Sequence, residues 1–593
     1  MEIRSYLKDN ILLFDGGMGT CYAARNNTAA DACEWASLTN PGEIEAIHRA
    51  YREAGCQAIK TNTYAVNRLR MPESDCRALI RAACAIARRA ADGAFVFGAI
   101  GPIPVQDDRD MNTEYRFVID CFLELGISNF LFETHSTDLY LHEAAAYIRE
   151  KNPEAFVLLS FNTQPDGFTA AGRLIRDLCR DGADDPNVDA VGMNCMTTAR
   201  HMVDLLRKIG PLDKAISVMP NACYPTVRSG RSFYDGDPRY FASQMAVLRD
   251  EGARILGGCC GTTPAYTAAT AKALKAPAHF RIPWPRSEEK APVVTRENPF
   301  WDVLCDPERK AIAVELDSPE NADMQRFMDR ARELQSKDVD IITIADCPVA
   351  RAKVDSSLAA CKLHRELGVS ALPHMTCRDR NLNATQALLL GLCAEGIGNV
   401  LVVTGDPIPS ASRDEVKSVY NFNSRGLMQY IRGLNETVLP TPFHIFGALN
   451  VNARNFRVQL DLAKKKEECG CEGFLTQPVL SQQAAENLKL ARQELKGKLL
   501  GGIMPVVSHR NALFMNSEIA GITVAESIIA CYEGLDRTQA EALAVEISAD
   551  FGREIAPYTD GYYLVTPFGR TALIVRIMEE IRRRSAQRTD PPV

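Results

Sequence analysis

Short apolar runs recur along this 593-residue chain, each closing on glycine or polar residues and each followed by a stretch long enough for a helix. In the first half they are Ile11–Phe14, Ala58–Thr61, Phe95–Ala99, Phe130–Glu133, Val157–Phe161, Ala190–Met193, Ile216–Met219 and Ile255–Gly258. Helical periodicity fills gaps between them, as at Pro41–Ala54 and Ser74–Ala90. A short run that is apolar on both faces reads as a strand buried on both sides, and alternation with helices reads as a parallel sheet. The rhythm repeats at Ala311–Glu315, Ile341–Ala345, Ala371–Met375, Val400–Thr404, Phe443–Gly447, Gly473–Thr476, Leu499–Met504 and Gly561–Val565. Periodicity alone does not separate a closed barrel from an open doubly wound sheet. The strand count favours α/β architecture as two (β/α)8 TIM-type barrels, with chemistry at the strand ends.

The halves meet at a segment without periodicity, Ile282 to Pro299, which carries Pro283, Pro285 and Pro292 and a charged cluster. It reads as a linker between domains at 1–281 and 300–593. Net charge is −7 with no basic block, so nothing points to nucleic acid or an anionic membrane. The N-terminus has no apolar core of a signal peptide, and no run of about 18 apolar residues could span a bilayer. These features suggest a cytoplasmic protein. In a reducing compartment, most of the 19 cysteines should be small buried hydrophobes, leaving a few as metal ligands or nucleophiles.

Those few stand at strand ends. Gly257-Gly-Cys-Cys-Gly-Thr-Thr-Pro264 follows the eighth run and Asn194-Cys195 follows the sixth. Three thiolates at neighbouring strand ends can hold zinc and leave its fourth tetrahedral position for a substrate, the mark of a catalytic site. A substrate thiol entering there is held as the nucleophilic thiolate. By residue type alone, a vicinal cysteine pair is more often core packing than metal site.

The motifs Phe14-Asp-Gly-Gly-Met-Gly-Thr20, Thr61-Asn-Thr-Tyr64, Gly98-Ala-Ile-Gly-Pro102, Asn194-Cys195, Met219-Pro-Asn-Ala222 and Gly257–Pro264 occur in that order. Together they resemble the homocysteine S-methyltransferase family over about residues 1–280. The resemblance implies Cys195, Cys259 and Cys260 as zinc ligands. It further implies that the amides of Asp15, Gly16 and Gly17 receive the homocysteine carboxylate and that Glu133 receives its amino group. The tyrosine-rich stretch that follows Glu133-Thr-His-Ser-Thr-Asp138, and Ala222-Cys-Tyr224, depart from the family pattern near the site and leave the methyl donor open.

The second half has no G-x-G-x-x-G after a strand, so a classical dinucleotide fold is not indicated. Val314-Glu-Leu316, Thr343-Ile-Ala-Asp346, Pro373 through Leu382, Asn399 through Pro407 and Leu475-Thr-Gln477 occur in sequence. This set resembles methylenetetrahydrofolate reductase, a barrel that holds FAD, over about residues 300–580. The resemblance implies Glu315 as general acid, Asp406 beside the pteridine and flavin, and Gln477 as a folate contact. Thr343, His374, Gly405, Asp406 and Lys466 fall where that family binds FAD. By residue type alone, His374 would be a core histidine and Lys466 part of a solvated helix face. Glu315-Leu-Asp-Ser-Pro319 and Pro478-Val479 depart from the family pattern, leaving NADH, NADPH or another carrier as electron donor.

Fusion of these two activities would join consecutive one-carbon steps toward methionine. N5 of methyltetrahydrofolate is a poor leaving group, and the chain shows no Asp-x-His-x-x-Gly corrinoid motif. Three readings of the first half follow: a separate corrinoid protein as partner, a sulfonium donor such as S-methylmethionine, or a non-catalytic homocysteine-sensing module. Homo-oligomerisation is left open.

Overall fold

The computed structural model describes residues 2–28, 33–105, 109–228, 231–277, 297–406, 418–518 and 521–586. Most of the expected linker, and Pro407, lie outside them. The chain divides into two compact units, Met1–Ser287 and Glu288–Val593.

The first unit carries β1 (Leu12–Leu13), β2 (Ala58–Lys60), β3 (Phe95–Ile100), β4 (Asn129–His135), β5 (Phe156–Phe161), β6 (Ala190–Thr198), β7 (Ala215–Asn221), the hairpin β8–β9 (Thr226–Arg228 and Arg231–Phe233) and β10 (Ile255–Leu256). Eight of these form one parallel sheet in the order β1-β10-β7-β6-β5-β4-β3-β2. A parallel bridge from Phe14 to Ala58 joins its two edges, so the sheet closes. Every residue of Phe156–Phe161 is buried, as expected for a strand with side chains against both a barrel interior and a helix. Phe14, Phe97, Leu131, Leu158 and Met219 fill the interior. The helix Pro41–Glu53 starts with proline at its first turn and buries Ile44, Ile47, His48 and Tyr51, the 3.6-residue stripe that seats it on the barrel.

The second unit is a closed barrel of β11 (Ala311–Leu316), β12 (Ile341–Ile344), β13 (Ala371–Thr376), β14 (Asn399–Val403), β15 (His444–Leu449), β16 (Gly473–Pro478), β17 (Lys498–Ile503) and β18 (Gly561–Val565), neighbours in that order. Its strands pair in parallel, and β18 closes on β11 with Ala313 opposite Tyr563. A short helix, Pro299–Cys305, buries Phe300 and Leu304 against inward residues of several strands. Asn298 caps that helix through the Trp301 amide.

Each expected strand is present and both sheets close, which excludes the open doubly wound alternative. Two features went beyond the strand rhythm. The β8–β9 hairpin inserts after β7, and the helices His509–Glu518, Glu526–Cys531 and Arg537–Ile555 lie between β17 and β18. Several residues of those helices share an apolar cluster with Leu480 and Val506.

Candidate active sites at the barrel mouths

In the first barrel, β6 keeps its ladder to Asn194 and then slips, resuming at Thr198. Cys195 and Met196 occupy the left-handed region with φ of 61° and 62°, a conformation that costs energy outside glycine and persists only where surrounding contacts enforce it. Asn194 supplies those contacts. Its Oδ1 accepts from the Thr134 amide and Ser160 Oγ, and its Nδ2 donates to Thr134 Oγ1 at 2.7 Å and lies 3.8 Å from Cys259 Sγ. Gly261, with φ of 76°, ends the cysteine pair under Tyr234, whose ring leaves no room there for a Cβ.

The three sulfurs of Cys195, Cys259 and Cys260 all lie within 4.8 Å of one another. Cys195 and Cys260 are 3.8 Å apart, and two sulfurs about 2.3 Å from one tetrahedral zinc also stand about 3.8 Å apart. The donor set and its spacing therefore fit zinc. Without a cation these crowded thiols hold their protons: the bond with Cys195 and burial push Cys260 up to about 12.

Behind the sulfurs is a buried ion pair that the sequence analysis did not single out. Lys60, at the end of β2, meets Asp15 at 3.0 Å and the Gly258 carbonyl at 3.3 Å. Burial opposes the Lys60 charge, but Asp15, Glu133 and Cys259 outweigh it and raise its pKa. Glu133, buried at the end of β4, is raised by burial against the pull of Lys60. The Asp15–Gly17 turn departs from expectation: the Asp15 amide donates to Ala58 O and the Gly17 amide to Thr262 O. Two of the three amides thus serve the fold, and Gly16 is the one left to consider for a carboxylate.

In the second barrel, Glu315 at the end of β11 accepts a hydrogen bond from the Tyr563 hydroxyl on β18. His374 Nε2, on β13, lies 3.8 Å from the same carboxyl. Burial raises Glu315 to about 7 and lowers His374 to about 4. A carboxyl still partly protonated at neutral pH thus faces a neutral imidazole. His374 Nε2 is buried without a hydrogen-bond partner among the described residues, and Gly405, with φ of 91°, brings backbone close to Thr376 and Arg378. The unmet His374 nitrogen is the polar atom that a bound polar cofactor would satisfy.

Comparison with known proteins follows the same division. Residues 12–274 match the family model "Homocysteine S-methyltransferase" and residues 302–579 match "Methylenetetrahydrofolate reductase". The chain carries one domain of each family. The first half is 30% identical over 306 residues to methionine synthase of Mycobacterium tuberculosis, covering 46% of this chain and 25% of that protein. It is 27% identical over 300 residues to homocysteine S-methyltransferase of Escherichia coli, covering 44% of this chain and 94% of that one. The metallated crystal structure of the Escherichia coli homocysteine methyltransferase aligns at 25% identity over 46% of this chain and 99% of that one, with a TM-score of 0.39. This chain spans about a quarter of the length of the methionine synthases it matches.

Within the reductase domain, the remaining expected residues stand on or after several strands. Thr343 is fully buried on β12, beside Glu315 in the β11–β12 register. Asp406 follows the Gly405 turn, where its carbonyl accepts from Arg378 at 2.9 Å. Gln477 sits where β16 loses register with β17, between Leu475 and Pro478. Lys466 differs from the solvated-face reading. Its Nζ donates to the Ala448 carbonyl at 2.7 Å, burial lowers its pKa, and its chain passes beside Gly447 against the barrel wall. Within the methyltransferase domain, Tyr234 lies against Gly261, next to Cys260. Lys60, Tyr234 and Tyr563 are site residues without a sequence expectation. Lys60 had one available signal, a lysine inside an apolar run.

Among the described residues, no helix is long and apolar enough to cross a membrane.

Proposed function

We propose that this chain is a bifunctional cytoplasmic enzyme in which residues 1–281 transfer a methyl group to homocysteine and residues 300–593 reduce methylenetetrahydrofolate. The observation that carries the reading is the spacing of Cys195, Cys259 and Cys260, which suits zinc while leaving a position for a fourth sulfur. Zinc held by these cysteines would supply a stabilised substrate thiolate. Asn194 Nδ2 lies against the Cys259 sulfur, and the left-handed Cys195 and Met196 turn the chain at the end of β6. The Gly16 amide would receive the amino acid's carboxylate and Glu133 its ammonium group, with Lys60 holding Asp15 in the turn.

In the reductase domain, FAD would supply the hydride, with NADH or NADPH as electron source. Thr343, His374 and Gly405 are the residues offered to it near Glu315, and Lys466 stiffens the wall behind β15. Glu315, still protonated near neutrality, donates its proton to the folate amine whose C–N bond opens. Asp406, after β14, and Gln477, on β16, would orient the pteridine from either side of β15.

The methyl donor decides between two versions. Labelled methyltetrahydrofolate and homocysteine are incubated with zinc-loaded protein without corrinoid, beside a reaction using S-methylmethionine. Methionine from the sulfonium donor only is the expected result and makes a salvage methyltransferase of the first domain. Label from the folate would mean that one chain links both steps. Methionine only on adding a corrinoid protein would identify that partner. Failure with every donor would contradict catalysis and favour homocysteine sensing.

A further inference from the structure

Tyr563 is the residue of the second barrel that touches the proposed acid most directly, and nothing in the expected set contains it. It lies on β18, two residues before Val565, which pairs with Glu315 across the closing ladder. Its hydroxyl donates to Glu315 Oε2. The phenol itself is buried deeply enough that its own pKa is raised well above the ordinary range, burial being the largest cause and Glu315 the next. A buried phenol and a buried carboxyl each cost folding free energy unless they satisfy one another. An apolar residue at 563 would fill the barrel without that cost.

Resting on the reductase reading above, we propose that Tyr563 is the positioning residue for the Glu315 acid, fixing one carboxyl oxygen so that the proton on the other is presented to the folate amine. In the step it serves, the proton leaves Glu315 for the folate nitrogen. The bond from that nitrogen to the bridging carbon breaks, its electron pair stays on the nitrogen, and the bridge becomes an iminium on the other nitrogen. Glu315 is left as a carboxylate and Tyr563 still donates to it. The hydrogen bond therefore strengthens as the proton departs, which is what a group that assists the transition state must do.

The charged and titratable groups around the pair are few. His374 on β13 lies 3.8 Å from Glu315 Oε2. Asp317 raises Glu315 and Lys353 lowers it, the two pairing with each other at 3.7 Å. Asp346 acts on His374. Tyr563 is the one whose bond lowers the Glu315 pKa against burial, so its loss should raise the pH at which the acid gives up its proton.

The test follows the reoxidation of reduced, flavin-loaded enzyme by methylenetetrahydrofolate between pH 5.5 and 9. Flavin content and melting temperature report folding. Tyr563→Phe should slow reoxidation on the order of tenfold and move the alkaline limb up by about one pH unit. Site-specific 3-fluorotyrosine at 563, a stronger donor with nearly the same shape, should move the limb down. It carries the test should the phenylalanine protein fail to fold. Glu315→Gln run beside them should lose at least 100-fold. An unmoved limb in both Tyr563 variants, with Glu315→Gln inactive, would overturn the role of Tyr563 and leave the reductase reading intact. Wild-type reoxidation in Glu315→Gln would overturn the reductase acid itself.

Discussion

The two barrels share an architecture and solve opposite electrostatic problems at their mouths. The first gathers three thiols that resist ionisation until a cation joins them, and it does so by distorting backbone: β6 slips after Asn194, and Thr134, Cys195 and Met196 all have positive φ. The second keeps a carboxyl neutral, and it does so with regular strands. Glu315, Thr343, His374 and Tyr563 stand on four adjoining strands, Glu315 directly opposite Thr343, and burial raises the carboxyl against the hydrogen bond from Tyr563. A metal site needs several atoms of one element converging on a point, which straight strands do not provide. A proton-donating site needs a dry pocket and one partner, which they do.

The largest break in this symmetry should come from metal removal. Zinc chelation is expected to lower methyl transfer by at least 1,000-fold, through loss of the activated thiolate, while folate reduction is unchanged. Methionine formation assayed before and after re-addition of zinc checks this. Next is Lys60→Met, which strands Asp15 as a buried charge. Removing one partner of such a pair costs about 3–5 kcal/mol, so the first barrel should melt early in a two-transition calorimetric scan and the second should hold. Asn194→Ala should weaken zinc affinity about 10–100-fold, the usual effect of losing a residue that orients a ligand. A competition titration with a chromogenic chelator reads it.

The smallest effect concerns pH. Glu315 binds its proton more tightly in the folded protein, at about 7 against an ordinary 4.5. Its contribution to stability is therefore complete below the ordinary value and is lost as pH rises through about 7. Stability of the second barrel should decline between pH 5 and 8 more in the wild type than in Glu315→Gln. Equal slopes in urea titrations would contradict a buried neutral acid.

Much of this organisation was legible in the sequence because barrel strands are buried on both faces and end where chemistry sits. Gly257–Pro264 and Asn194-Cys195 could be placed at strand ends without coordinates. What the sequence did not carry was the direction in which side chains turn. Lys466 reads as one of three solvated lysines, yet its stem lies against Gly447 and its Nζ donates to the Ala448 carbonyl. The amides of Asp15 and Gly17 read as a free anion nest, yet barrel closure and Thr262 consume them. Tyr563 sits in an apolar run and looks like core, and only the register of β18 against β11 brings it to Glu315. The β8–β9 hairpin and the helices after β17 lie outside the strand rhythm, so periodicity gave no warning of them.

On the function proposed above, each barrel mouth runs its own chemistry with its own residues. Both activities are assayed in Cys259→Ser and in Glu315→Gln, prepared in parallel. Cys259→Ser should lose methyl transfer to homocysteine and keep folate reduction, while Glu315→Gln should do the reverse. Loss of both activities in either variant, with both barrels still melting as in the wild type, would contradict it.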